Sequence, residues 1–268
     1  ISEKSLEKLK SFRTSIHPNK YEIFLAAKDS GLNIGVVSAL IQAGALSSYK
    51  TNRARLVLEA QVFNLLTDRE KRNFIKLGEK YNFDILSSIS DVVKSQLLGD
   101  DKKPVMKESR FETLKSKYKS YKNIYDQNKK YEDFANWYFE KNLLGFSYSQ
   151  NLRDCFGSSN TFDSSLDFHS AEKNQTLKLI GVVEDAFSGK SKNGNFYLKM
   201  TLNDDLGRYD VLLVDGRKKN FTIFKNKNPI PEKNNIIICK GAKGDDILFI
   251  DQISIVDEKI YMKLSEIK

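Results

Sequence analysis

Residues 176–256 constrain the fold most strongly, because their apolar side chains recur at every second position in short runs. Clusters of Gly, Asn, Asp and Lys separate the runs, and this pattern is typical of β-strands joined by turns. Gly181 interrupts the first run, where a strongly coiled strand would bend. We predict five strands with a helical connection at 217–225 between the third and the fourth; the strands are 177–183, 196–202, 209–214, 236–240 and 247–256. A loop is predicted at 188–195, before the second strand, and a turn at 241–245, before the fifth.

Five strands with a helix in this place match the OB-fold, a small Greek-key barrel that binds oligonucleotides across its second and third strands. The chain before the barrel has helical periodicity, so the predicted fold class is α+β with several domains. We expect a helix-hairpin-helix-like region at 1–66, a helical region at 67–154, a connector at 155–174, the OB-fold at 175–256 and a tail at 257–268.

Two helix starts can be read in the N-terminal region. Asn33 is expected to cap a helix over 34–43, and Asn52 a long helix that ends near residue 66. Gly35 near the start of the first of these helices is compatible with a helix-hairpin-helix, in which backbone N–H groups at a helix N-terminus bind a phosphate. A glycine in a helix-turn-helix more often serves turn geometry or packing than a phosphate contact.

The segment 107–130 combines lysines with Tyr118, Tyr121 and Tyr125. Basic and aromatic residues together are typical of a channel for single-stranded nucleic acid. The helical spacing of the three tyrosines favours the alternative, a buried stripe on an amphipathic helix.

The net charge of +9 favours a polyanion as partner, although many of the lysines are also what a solvated surface would carry. Two cysteines (Cys155 and Cys239) and two histidines form no CxxC or HxxxH pattern, so we expect no metal site and no disulfide framework. We find no apolar run near the ~18 residues of a membrane span and no signal peptide. A cytoplasmic protein without a cofactor or a membrane segment is expected.

Strand alternation predicts which barrel residues face a ligand. Leu198, Met200 and Leu202 should enter the core, which leaves Tyr197 and Lys199 outside with Thr201. Asp204 and Asp205 are expected to form a turn rather than a two-metal site. The predicted nucleic-acid-binding residues of the barrel are Lys190, Lys192, Tyr197, Lys199, Arg208, Lys240 and Lys243.

Two segments of the chain resemble segments of a known family, and they occur in the same order as in that family. LIQAGALSSYKTNRARL, residues 40–56, carries Ala43-Gly44-Ala45-Leu46 and Asn52-Arg53, and EKNLLGFSYSQNLRD occupies residues 140–154. Both are similar to segments of the alpha subunit of bacterial C-family replicative DNA polymerase III, where they precede an OB domain. The family usually has His-Pro shortly after the second string, where this chain has Gln150-Asn151.

The resemblance implies a non-catalytic part of a DNA-directed DNA polymerase, because the family's catalytic carboxylates lie in a palm domain upstream. It implies that the barrel binds single-stranded template and that Gly35 and Arg53 bind duplex backbone. It also implies replisome partners, including the sliding clamp. Gln96-Leu97-Leu98 and Gln61-Val62-Phe63 are degenerate matches to the family's clamp-binding peptide, and each is expected to be part of a helix.

Two other functions remain open. One is a stand-alone OB-fold module that binds single-stranded DNA or RNA, with a helical domain that binds a partner. The other is an RNA-binding module appended to a synthetase, since OB barrels also bind RNA.

Overall fold

The computed structural model describes residues 19–77, 84–157, 161–216 and 219–256, together with residues 3, 7, 8, 10 and 17. It divides into two compact units, a helical unit that runs to Gly145 and a barrel unit that begins at Phe146. The predicted boundary at 66/67 lies inside the helical unit, and the one at 154/155 lies inside the barrel unit. The predicted tail, 257–268, lies outside the described residues.

The helical unit is built around one helix that is buried on almost every side. This central helix, α3 (Arg53–Asn64), contacts helices that precede it and helices that follow it in the chain, and its residues from Leu56 to Phe63 are all buried. The helices are α1 (Lys20–Asp29), α2 (Ile34–Gln42), α3 (Arg53–Asn64), α4 (Asp68–Leu77), α5 (Ile85–Lys94), α6 (Glu108–Asn128) and α7 (Glu132–Leu144), with single 3₁₀ turns at Ser47–Tyr49 and Lys129–Tyr131.

Both predicted helix caps are confirmed. The side-chain oxygen of Asn33 accepts a hydrogen bond from the backbone N–H of Val36 at 2.9 Å, and that of Asn52 accepts one from Ala54 at 2.8 Å. Each bond satisfies an N–H group that has no partner inside the helix. Local sequence chemistry therefore sets where α2 and α3 begin.

The tyrosines of α6 form the predicted buried stripe. Tyr118 is buried, and Tyr121 and Tyr125 are half-buried against the core of the helical unit. Their rings are therefore committed to packing, and the alternative of a single-strand channel along α6 is not supported by their placement.

The barrel unit contains three helices and five strands among its described residues. The elements are α8 (Leu152–Cys155), α9 (Ser165–Ser170), β1 (Thr176–Lys190), β2 (Phe196–Asn203), β3 (Arg208–Val214), α10 (Asn220–Lys227), β4 (Ile236–Lys243) and β5 (Ile247–Ile255). The strands form a closed barrel in the order β1-β2-β3-β5-β4. All neighbouring strands are antiparallel except β3 and β5, and α10 connects β3 to β4. This order and this helix define the OB-fold, so the predicted fold class is confirmed.

Two strands extend at least three residues beyond their predicted ends. β1 continues to Lys190, because residues 188–190 of the predicted loop pair with β2. β4 continues to Lys243 through the predicted turn at 241–245, because it stays paired with β5. In both cases pairing between strands overrides a composition that is typical of turns.

Gly181 lies where β1 changes partner. Pairing with β4 runs to Val182, and pairing with β2 begins at the same residue. A Cβ atom on Gly181 would lie 2.6 Å from the Tyr209 hydroxyl oxygen and 3.1 Å from the Cβ of Leu202. The absence of a side chain therefore lets β1 pass close to β2 and β3, as expected for a strongly coiled strand.

The predicted core face of β2 is confirmed, since Leu198, Met200 and Leu202 are all fully buried. The β2–β3 turn is also as predicted. Asp204 accepts hydrogen bonds from the backbone N–H groups of Leu206 and Gly207 at 2.9 and 2.8 Å, which makes it a turn former.

The same turn anchors the segment that precedes the barrel. The second carboxylate oxygen of Asp204 accepts from the backbone N–H of Ser165 in α9, and Asp205 accepts from that of Leu152 in α8, each at 2.7 Å. The predicted connector is thus held against the barrel by hydrogen bonds.

Within the described ranges, no helix is both long enough and apolar enough to cross a membrane. The same residues contain no group of three His, Cys, Asp or Glu side chains that could hold a metal ion. The thiol of Cys155 donates a hydrogen bond to the backbone oxygen of Asn151 at 3.3 Å, and burial in the barrel raises the pKa of Cys239 to about 12.

Candidate nucleic-acid interface

One row of outward-facing side chains crosses four strands of the barrel. Phe187 on β1 lies opposite Lys199 on β2, Lys199 lies opposite Leu212 on β3, and Leu212 lies opposite Phe249 on β5. Lys199, Leu212 and Phe249 each lie between two buried residues, and Phe187 follows Ala186, which packs against the core, so this row faces away from the core. With neighbouring strands about 4.8 Å apart, the row is about 14 Å long.

Tyr197 extends this row into a surface. It is the next outward residue on β2 after Lys199, and its ring centroid lies 6.0 Å from that of Phe187. Gly189 lies opposite Tyr197 on β1, and a Cβ atom there would be 3.0 Å from the Tyr197 hydroxyl oxygen. We call Phe187, Tyr197, Lys199, Leu212 and Phe249 the platform.

Two of the three platform rings are exposed, and Tyr197 is half-buried. Phe187 is 59% exposed and Phe249 is 45% exposed. Exposed rings on a barrel face give flat surfaces on which nucleic-acid bases stack, whatever their sequence. The platform therefore has the chemistry of a stacking surface for single strands.

The central lysine of the platform is paired. The Nζ atom of Lys199 lies 2.7 Å from a carboxylate oxygen of Asp210, and the hydroxyl of Thr201 donates to the other oxygen at 2.7 Å. The hydrogen bond and the charge of Asp210 raise the pKa of Lys199. Burial raises the pKa of Asp210, but the bonds from Lys199 and Thr201 outweigh it and hold this pKa below its usual value.

The two ends of the platform differ in charge. At the β1–β2 loop, Lys190 and Lys192 are exposed, and the Nζ atom of Lys190 lies 5.5 Å from the ring centroid of Phe196. At the other end, Arg208 pairs with Glu184 at 2.7 Å, and Asp210 is close by on β3. The loop end is therefore basic, whereas the far end is close to neutral.

The predicted lysines of β4 do not join the platform. Lys243 is buried, its Nζ atom lies 4.2 Å from the ring centroid of Phe168, and it donates to the backbone oxygen of Asp245. Its prediction as a phosphate contact was wrong, because the strand continues through the expected turn and carries Lys243 inward. Lys240 is exposed but lies on β4, which pairs with neither β2 nor β3.

The two predicted residues of the helical unit have different surroundings. Gly35 is exposed in the first turn of α2, so the backbone there is open to a ligand. Arg53 is buried, forms an ion pair with Glu140 at 2.6 Å and donates to the backbone oxygen of Gln42 at 3.0 Å. Its prediction as a nucleic-acid contact conflicts with this burial, since a paired guanidinium inside the unit cannot reach a phosphate outside it.

The two degenerate clamp-peptide matches also differ. Residues 61–63 are buried in α3, as expected for part of a helix. Residues 96–98 were expected in a helix, but α5 ends at Lys94. Gln96 has a positive φ of 50°, and Leu98, which is 58% exposed, forms a bridge to Pro104.

Sequence reasoning missed Phe187, Asp210, Leu212 and Phe249. The alternation of Val211, Leu213, Leu248 and Ile250 as core residues would have placed three of them outside. Phe187 could not be found this way, because the composition of the following residues indicates a loop rather than a strand. These side chains meet in one row because of the register between the strands. The register could not be predicted from the sequence.

Comparisons with known proteins give fold-level likenesses only. No family model and no curated protein matches the chain. Among solved structures, the mitochondrial single-stranded DNA-binding protein Rim1 of S. cerevisiae is 13% identical over 32% of this chain and 97% of its own, with a TM-score of 0.27.

Two further structures cover the same share of the chain. The second OB-fold domain of replication protein A from Methanococcus maripaludis is 19% identical over 32% of this chain and 88% of its own, with a TM-score of 0.25. The protein priB from Ralstonia solanacearum is 11% identical over 32% of this chain and 100% of its own, with a TM-score of 0.23. At TM-scores this low, the fold assignment rests on the strand order of the barrel itself.

Proposed function

We propose that the barrel unit binds single-stranded nucleic acid across the platform. The observation that carries this proposal is the row of outward side chains on β1, β2, β3 and β5, in which two exposed phenylalanines flank Lys199 and Tyr197 adjoins it. Sequence-tolerant binding of a single strand requires aromatic rings that stack on the bases and lysines that lie near the phosphates.

The charges around the platform indicate how a strand would lie. Lys190 and Lys192 at the loop end attract phosphates, whereas at the other end Glu184 is neutralised by Arg208 and Asp210 by Lys199. Bases then stack on Phe187, Tyr197 and Phe249 while the backbone runs nearest the β1–β2 loop. The platform side chains offer few donors and acceptors for base edges, so little sequence preference is expected.

Binding of a fluorescent oligo-dT, followed by anisotropy, tests this proposal. Stacking on one ring contributes roughly 1–3 kcal/mol, so Tyr197→Ala should weaken binding about 5- to 150-fold, and Phe187→Ala/Tyr197→Ala should weaken it further. Both variants should keep the far-ultraviolet circular dichroism of the wild type, because neither ring is in the core.

Ile223→Ala is a matched control, since Ile223 is 50% exposed on α10 of the same unit and lies outside the platform. It should bind like the wild type. A wild-type protein that binds no single strand, or a double variant that binds as tightly as the control, would contradict the proposal. An oligo-U of equal length, run in parallel, reports whether the barrel prefers DNA or RNA.

We also propose, as a narrower identity, that the two units belong to a replicative DNA polymerase of the polymerase III alpha type, with duplex DNA and the sliding clamp as partners. One observation favours it. The two strings that resemble that family supply Arg53 and Glu140, and these residues form one buried ion pair. A gene that encodes a palm domain with three acidic residues upstream of Ile1, in the same or an adjacent frame, is expected; an upstream region without one would count against this identity.

A further inference from the structure

Two lysines lie side by side on the barrel outside the platform. Lys178 on β1 is the direct partner of Lys240 on the neighbouring strand β4. Lys178 lies between the core residues Leu177 and Leu179, so its side chain points outward. Directly opposite side chains on antiparallel strands have Cβ atoms about 5 Å apart, and like charges at this spacing destabilise the pair of strands.

Neutral hydrogen-bonding side chains continue the row. Lys240 lies opposite Gln252 on β5, and in the next row Ile238 lies opposite Ser254. The register shift between Lys240 and Gly241 produces this pairing, because it leaves Asp251 without a partner on β4. A β-bulge of this kind redirects side chains on a sheet face, and here it sets an amide rather than a carboxylate beside Lys240.

Among the described residues, neither of the two lysines forms an ion pair. Asp163 accepts a hydrogen bond from the backbone N–H of Lys178 at 2.7 Å. The Nζ atom of Lys178 lies 4.6 Å from the ring centroid of Phe162. Asp251, which precedes Gln252 on β5, is exposed and has no partner on β4.

The four polar side chains line one shallow groove. Lys178, Lys240, Gln252 and Ser254 border a space of about 280 Å³ whose floor includes Ile238. An anion in this groove would pair with two ammonium groups and would accept hydrogen bonds from one amide N–H and one hydroxyl. It would also remove the repulsion between the two lysines.

We propose that this groove, the β4 groove, binds a phosphodiester group of a nucleic-acid strand longer than the platform holds. The inference rests on the proposed function and extends it to a second contact. The platform uses β2, β3, the second half of β1 and Phe249 of β5, whereas the β4 groove uses β4, the first half of β1 and Gln252 and Ser254 of β5. A strand that passes from one to the other follows β5 or the bent β1 around the barrel.

The test compares Lys178→Gln/Lys240→Gln with wild type on two oligo-dT lengths, about 6 and about 20 nucleotides, which span the site sizes of single OB-folds. The variant should bind the short oligonucleotide like the wild type and the long one roughly tenfold more weakly. For the long one, the slope of log K against log salt should fall by about 0.7 for each phosphate contact that is lost.

Lys225→Gln/Lys233→Gln is the matched control, because it removes the same charge from exposed lysines of the barrel unit away from both surfaces. It should retain the affinity and the salt slope of the wild type. The inference is overturned if both double variants lose equal affinity, or if neither loses any while the wild type binds the long oligonucleotide. A wild type that binds neither oligonucleotide overturns the proposed function as well, so the two failures are distinguishable.

Discussion

Among single residues, Lys199 and Asp210 set the charge at the centre of the platform. Their atoms are 2.7 Å apart, and both side chains are partly exposed. A surface pair of this kind contributes about 0–1 kcal/mol to stability. Its main effect is on binding, since Asp210 pairs with the ammonium group of Lys199 that a phosphate would otherwise contact.

Asp210→Asn should therefore bind oligo-dT several-fold more tightly than the wild type, because it removes a negative charge and frees Lys199. The amide oxygen of Asn still accepts from Thr201, so the free energy of unfolding should change by less than about 1 kcal/mol. Anisotropy titration and urea denaturation measure the two quantities. Weaker binding by Asp210→Asn would show that the carboxylate supports the ligand rather than opposing it.

The pH dependence of this pair has a defined sign. The folded-state pKa of Asp210 is below its unfolded value, so its stabilising effect is present above about pH 4 and is lost as the pH falls through the folded pKa. The pKa of Lys199 is raised, so its effect is present below its unfolded pKa and is lost as the pH rises through the folded one. Near neutral pH the pair is intact.

In the helical unit, the buried pair of Arg53 and Glu140 gives a second residue-scale prediction. Glu140→Ala leaves a guanidinium buried without its carboxylate, which should cost about 3–5 kcal/mol in the free energy of unfolding. Arg53→Met/Glu140→Leu removes both charges and should cost clearly less, because apolar side chains of similar size replace a buried pair well. Urea denaturation compares them, and equal losses would contradict the account.

Among the elements, β4 depends on the absence of a side chain at Gly241. A Cβ atom there would lie 2.1 Å from the backbone oxygen of Phe249 and 2.6 Å from the Cα of Ile250. Because these neighbours are backbone atoms of β5, relief requires the two strands to separate. Gly241 thus permits the bulge that sets the register of β4 and β5 at the β4 groove.

Gly241→Ala should lower the free energy of unfolding by about 1–3 kcal/mol or more, the usual cost of overpacking. Gly216→Ala is the control, since a Cβ atom there meets nothing within 4 Å, and its effect should be small. Urea denaturation of both variants is the measurement. A Gly241→Ala protein as stable as the control would mean that the strands adjust at no cost.

Elements were predictable where they depend on interactions between residues close together in sequence. The core face of β2 and the caps Asn33 and Asn52 depend on residues within a few positions, and they were predictable. The ends of β1 and β4 depend on pairing with distant strands, and they were not. The burial of Arg53 and Lys243 was not predictable for the same reason. Arg53 is held by Glu140, which is distant in sequence, and Lys243 lies on a strand that continues beyond its expected turn.

At the scale of the whole molecule, the net charge of +9 says little about where a polyanion binds. Some cations are buried, such as Lys20 and Arg53, and others are paired with carboxylates on the surface. In the barrel unit, exposed rings lie on the platform, and the lysines for which the described residues provide no carboxylate partner include those at the β1–β2 loop and in the β4 groove. Placement of the charges, rather than their sum, supports the proposed function.

Photocrosslinking tests the central claim most directly. An oligo-dT that carries 5-iodouracil is irradiated with the protein, and the linked residues are mapped by mass spectrometry. The account predicts crosslinks to Phe187, Tyr197 or Phe249, which disappear when unlabelled oligo-dT is added in excess. Crosslinks that compete in the same way but map only to the helical unit, with none on the platform, would contradict it.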